Sequence, residues 1–64
     1  MKTWAVRKQG YHIGSVSEET EDLARCAALH LYGMTEEEIE AEGLRRAPWN
    51  RIGPDDDFEV YCFT

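Results

Sequence analysis

Residues 2–17 read KTWAVRKQGYHIGSVS, and the alternation in this stretch decides the fold. Trp4 and Val6 fall on one side of an extended chain and Thr3, Ala5 and Arg7 on the other, the period of two that marks a half-buried strand. Gln9-Gly10 is a turn signal, and Tyr11 to Ser17 reads as the returning strand of a hairpin. Ile13 and Val16 cannot both face inward in a regular strand, so a bulge at Gly14 is expected to reset the phase.

Beyond the hairpin the period changes. From Ser17 or Thr20 to Tyr32, the residues Leu23, Ala24, Ala27, Ala28 and Leu31 form one helical stripe, narrow enough for close approach to a sheet. Ser17 or Thr20 can cap the start, and Gly33 is expected at the C′ position, which tolerates positive φ. Leu29 and Cys26 point away from the stripe. Thr35-Glu36-Glu37-Glu38 is a capping box that opens a short second helix, about residues 36–42, stopped by Gly43. Residues 44–57 hold Pro48, Gly53, Pro54 and three aspartates and read as an irregular connection, with Trp49 and Ile52 expected to pin it to the core. Phe58 to Thr64 alternates again, with Phe58, Val60 and Cys62 on the inner side and Glu59, Tyr61 and Phe63 on the outer.

The expected fold is therefore α+β, a small β-β-α-(α)-β single domain over residues 1–64. The crossover rule places the last strand beside the first and antiparallel to it, giving the spatial order 2-1-3. One main helix covers one face. Thr3, Ala5, Arg7, Tyr61 and Phe63 are left on the other, to be covered by a partner or by the 44–57 loop.

At 64 residues, 42% of them hydrophobic and seven of them aromatic, the chain is too apolar to read as disordered, yet nearly every apolar side chain is needed for the core. That leaves little room for an enclosed catalytic cleft. The start, Met1-Lys2-Thr3-Trp4, lacks the apolar region of a signal peptide, and no run approaches the ~18 apolar residues of a membrane span. An intracellular protein, cytoplasmic in a bacterial host, is expected.

Charge is the strongest functional signal. The thirteen acids fall in three clusters: Glu18, Glu19, Glu21 and Asp22; Glu36, Glu37, Glu38, Glu40 and Glu42; Asp55, Asp56, Asp57 and Glu59. Residues 1–17 carry +3, 18–42 carry −8, 43–54 carry +3 and 55–64 carry −4, together the net −6. Carboxylates at a helix start offset the dipole by ~0.3–1 kcal/mol each, which explains the first cluster and Glu36–Glu38 locally. Glu40, Glu42, Asp55, Asp56, Asp57 and Glu59 have no such reason, short of pairing with Arg7, Lys8, Arg45, Arg46 or Arg51. The topology brings the second and third clusters to the same end of the fold.

Other chemistries find little support. Cys26 and His30 have ligand spacing, but His12 and Cys62 do not converge with them in this fold, so no metal and no cofactor are expected. The Asp55-Asp56-Asp57 run lacks the spaced acids of a calcium loop, and there is neither a nucleophile elbow nor a phosphate-binding glycine loop. No enzyme is expected. Lys2, Arg7, Lys8, Tyr11, Tyr61 and Phe63 sketch a base-stacking sheet surface, but a net −6 opposes direct nucleic-acid binding.

A tiny chain with acids in blocks and no enzyme motif resembles the small acidic proteins that phages and other mobile elements use against host defence. Among these are anti-CRISPR proteins, several of which are DNA mimics. The resemblance implies an inhibitor that binds a CRISPR effector complex, or another basic nucleic-acid-binding protein, and keeps target DNA out of its Lys/Arg-lined channel. Glu36, Glu37, Glu38, Glu40, Glu42, Asp55, Asp56, Asp57 and Glu59 would then supply charge complementarity, and Leu29, Trp49 or Tyr61 the apolar anchors. The alternative is a homodimeric accessory or antitoxin-like protein that pairs through its open sheet face or third-strand edge, so both monomer and homodimer stay open.

Overall fold

The computed structural model describes residues 1–63. Five elements follow in order: β1 (Lys2–Lys8), β2 (Tyr11–Glu18), α1 (Glu21–Tyr32), α2 (Glu36–Ala41) and β3 (Phe58–Cys62). The strands form one sheet in the order β2-β1-β3, with β1 antiparallel to both neighbours. This is the α+β arrangement that the hairpin-then-helix order predicts.

Gln9 and Gly10 both have positive φ, 51° and 85°, the primed turn whose twist suits a two-residue hairpin. The register slips between Val6 and Arg7: Arg7 pairs with His12 and Val6 with Gly14, so Ile13 is the extra residue. The bulge turns the partly buried Ile13 and the buried Val16 both inward. Gly14 has a second role. A Cβ there would collide with the ring and hydroxyl of Tyr32, the last residue of α1. That hydroxyl accepts from Ser15 N at 3.2 Å and lies 3.4 Å from Ser15 O, fastening the helix end to the bulge.

α1 starts at Thr20, whose side chain accepts from Leu23 N at 3.3 Å. Ala24 and Ala28 are fully buried against the sheet and Ala27 partly so. Leu23 and Leu31, expected in the same buried stripe, remain 49% and 58% exposed. Close helix–sheet approach through the alanines leaves the flanking leucines at the rim. Gly33 departs from expectation as well: its φ is −68°, and it continues as extended chain in a parallel bridge to Ile52.

α2 has the complete capping box. Thr35 Oγ1 accepts from Glu38 N and Glu38 Oε1 accepts from Thr35 N, both at 3.2 Å. It ends in a Schellman motif, with Gly43 N donating to Glu40 O, Leu44 N donating to Ile39 O, and Gly43 at φ 73°.

The main core is Trp4, Val6, Val16, Ala24, Ala28, Ile52, Phe58 and Val60; Met34, Ile39 and Ala47 form a smaller cluster that seats α2. The connecting loop joins the helix layer and leaves the outer sheet face uncovered. Ile52 is its pin, 1% exposed, a burial that contributes about 1.5–3 kcal/mol. Trp49 does not share that role, being 64% exposed. Cys62, expected to face inward beside Phe58 and Val60, is exposed at the end of β3. Among the described residues, no helix is long and apolar enough to cross a membrane.

Candidate functional site

The acidic residues fall into distinct physical groups. In the first cluster, Glu18 closes β2 and Glu19 lies in the bend that follows, so only Glu21 and Asp22 occupy the first turn of α1. The sequence reads all four as a helix start; the strand runs one residue further than expected and takes Glu18, and the bend takes Glu19. Glu19 lies 3.5 Å from the Met1 amino group, both exposed, and the carbonyl of Glu18 accepts the Trp4 indole N–H at 3.0 Å.

In the third cluster, Asp56 proves structural. Lys8 shares the inward side of β1 with Trp4 and Val6, and its side chain is only 5% exposed. Its Nζ donates to Pro48 O at 3.1 Å, to Arg51 O at 2.7 Å and to Asp56 Oδ2 at 2.7 Å, which uses all three ammonium protons. Asp56 Oδ2 also accepts from Gly53 N at 2.8 Å. The Lys8 hydrogen bond holds the Asp56 carboxyl below the usual aspartate range; burial opposes this, and Gly53 N with the charges of Lys8 and Arg46 adds to it. One lysine thus ties three points of the loop to the sheet. The signal was in the sequence: a lysine in phase with Trp4 and Val6 on the apolar side of its strand.

Glu59 is separated from the rest. It lies on the outer sheet face directly across from Arg7, away from α2. Arg7 itself donates to Gly10 O at 2.7 Å and lies 5.8 Å from the centre of the Tyr61 ring.

The other acids gather at the end of the fold where α1 finishes and β3 begins. Glu36, Glu40, Asp55 and Asp56 line one concavity of about 390 Å³, which Arg45 and Arg46 share. Glu36 and Glu37 border a second surface beside Pro54, and Glu38 a third beside Leu29, Pro54 and Asp56. Glu42 caps α2 and Asp57 precedes β3, both exposed. Glu36 and Glu40 of the second cluster thus share a concavity with Asp55 and Asp56 of the third, and Glu59 takes no part in it.

Pairing with arginine does not absorb these charges. Among the described residues the ion pairs within 4.0 Å are Met1–Glu19 and Lys8–Asp56. Arg51 spends its guanidinium on the carbonyls of Tyr32 at 3.0 Å and Gly33 at 2.9 Å, capping the end of α1. Arg25 lies over the Phe58 ring at 4.5 Å and donates to Phe58 O. Glu36, Glu37, Glu40, Glu42, Asp55 and Asp57 remain exposed.

Of the three expected anchors, Leu29 (49% exposed) borders the acidic end, and Trp49 (64%) flanks, with Tyr11, a concavity that adjoins it through Arg46, Ala47 and Asp56. Tyr61 lies on the outer sheet face instead. No three His, Cys, Asp or Glu side chains come together as metal ligands among the described residues. No protein-family model, no curated protein and no solved structure matches this chain.

Proposed function

We propose that the chain is a non-enzymatic acidic binding protein that occupies the DNA-binding channel of a basic partner. The partner class we favour is a CRISPR effector complex in a bacterial cytoplasm, inhibited in the manner of phage anti-CRISPR DNA mimics. The supporting observation is the set of exposed carboxylates at one end of the fold, Glu36, Glu37, Glu40, Glu42, Asp55 and Asp57, with no ion pair among the described residues. Exposed acids held by a capped helix and an anchored loop repel one another, a cost that a partner's lysines and arginines relieve. Glu36 and Glu40 are one helical turn apart, ~6 Å along the axis, and so present their carboxylates on the same face of α2. Arg45 and Arg46 lie beside them but are outnumbered.

In this reading the acids accelerate and orient encounter, since exposed pairs contribute only ~0–1 kcal/mol each. Leu29 and Trp49 add desolvated contact area. The test is competition: a panel of CRISPR effector complexes is incubated with labelled target duplex and increasing amounts of this protein. Displacement of the duplex from at least one effector is expected, weakening with salt, and the combined Glu36→Gln, Glu40→Gln, Asp55→Asn, Asp57→Asn variant should need about tenfold more protein. Equal competition by that variant, or no displacement from any effector, would sink the proposal.

A further inference from the structure

The two basic segments of this acidic chain, residues 1–17 and 43–54 with +3 each, meet beside the hairpin turn. Lys8, Gln9 and Tyr11 from the first and Arg46, Ala47 and Trp49 from the second line one concavity of about 210 Å³, with Asp56 beside them. Lys8 and Asp56 neutralise each other at 2.7 Å, so Arg46 supplies the net charge of the site. Arg46 is exposed, without an ion pair or a hydrogen bond among the described residues. Tyr11 and Trp49 are each 64% exposed, and neither ring has a cation–π or ring contact among those residues. Both rings stand on fixed backbone. Lys8 Nζ holds Pro48 O at 3.1 Å, immediately before Trp49, and Arg7 holds Gly10 O at 2.7 Å, immediately before Tyr11.

We infer that this concavity binds a nucleotide, its base stacked on Trp49 and Tyr11 and its phosphate held by Arg46. An aromatic anion is the ligand class that these side chains suit together. Indole and phenol rings offer π-faces to any base, and a guanidinium matches phosphate with a planar fork of donors. The exposed Gln9 amide, donor and acceptor at once, completes the set with a partner for a base edge. At about 210 Å³ the site is smaller than the ~300–1,000 Å³ that encloses a whole small molecule, so it takes one ring system and leaves sugar and phosphate at its rim. Charge favours a free monophosphate over a polynucleotide. Arg46 is the one free cation lining the site among the described residues, and it shares the adjoining concavity with Glu36, Glu40 and Asp55, where further phosphates would meet carboxylates. The site works whether or not the acidic end meets a basic partner.

The test is an NMR titration of the isotope-labelled whole chain with AMP, GMP, CMP and UMP in turn, in roughly 0.15 M salt. At least one should give saturable shifts at the Trp49 indole N–H and the Tyr11 amide with a Kd below ~1 mM, while the Trp4 indole N–H, bonded to Glu18 O, stays in place. Trp49→Ala should weaken both that nucleotide and its nucleoside by about tenfold or more. Arg46→Gln should weaken the nucleotide by about tenfold and leave the nucleoside unchanged. Both positions are exposed, so neither change should alter the circular dichroism spectrum. Inorganic phosphate alone and a single-stranded tetranucleotide should each bind more weakly than the monophosphate. No saturable shift with any of the nucleotides, equal shifts at both indoles, or nucleotide binding that survives either substitution would overturn the inference. Tighter binding of the tetranucleotide would overturn it as well, and would assign the rings to single-stranded nucleic acid.

Discussion

Replacing Asp56 by alanine should loosen the whole 44–57 connection, because it strands a largely buried charge without its counter-ion. Lys8 is 5% exposed and would keep only the carbonyls of Pro48 and Arg51 as acceptors. Breaking a buried pair on one side costs ~3–5 kcal/mol; Asp56 is 21% exposed, which argues for the lower figure, about 3 kcal/mol. A domain of 64 residues is stable by roughly 3–10 kcal/mol, so the loss is a large share of the whole. The melting temperature should fall by on the order of 10–20 °C. Asp56→Asn keeps an acceptor for Lys8 and should cost about 1 kcal/mol, the difference between charged and neutral hydrogen bonding. Lys8→Met combined with Asp56→Leu removes both charges and should be more stable than Asp56→Ala alone.

The same pair sets an acid response. The folded Asp56 carboxyl titrates below its unfolded value of about 4, so its contribution is complete above that value and is lost as pH falls through the folded value. Urea unfolding, followed in a Trp49→Phe background so that the buried Trp4 reports alone, should show a midpoint that drops on acidification below about pH 4. Asp56→Asn should flatten that part of the drop. If Asp56→Ala unfolds within about 0.5 kcal/mol of the parent, or if Asp56→Asn leaves the acid limb unchanged, the ion pair does not hold the loop.

Gly14→Ala should destabilise by ~1–3 kcal/mol through collision with Tyr32, and Tyr32→Ala should remove most of that added penalty in a double-mutant cycle measured by urea titration. Thr35→Ala opens the capping box of α2 and should cost about 1 kcal/mol, with amide exchange accelerated in residues 36–41 and little changed in β1. The Glu36→Gln, Glu40→Gln, Asp55→Asn, Asp57→Asn variant should melt within about 5 °C of the parent, since these exposed acids have no intramolecular ion pair among the described residues and the ~0.3–1 kcal/mol lost with Glu36 at the start of α2 is offset by relieved repulsion; a larger drop would mean that they hold the fold.

The element order, the hairpin turn at Gln9-Gly10, the capping box at Thr35 and the stop at Gly43 were all legible in the sequence. Each is set by interactions among residues a few positions apart, so periodicity and capping chemistry are enough to find them. The sheet order 2-1-3 also follows, because a helix after a hairpin leaves few ways to return. The grouping of the α2 glutamates with Asp55 could be anticipated from that topology, though the concavity they share with Arg45 and Arg46 could not.

Tertiary structure alone decided which of these charges are spent. Lys8 reaches Arg51 across 43 residues, and whether Asp56 or its neighbours Asp55 and Asp57 turned inward depended on the path of the loop between. The seat of Tyr32 on Gly14 and the exposure of Trp49, Leu23 and Leu31 are likewise products of packing. Local sequence fixes the direction of a side chain from its own backbone; what it meets there depends on elements that are distant in the chain and brought close only when the core forms.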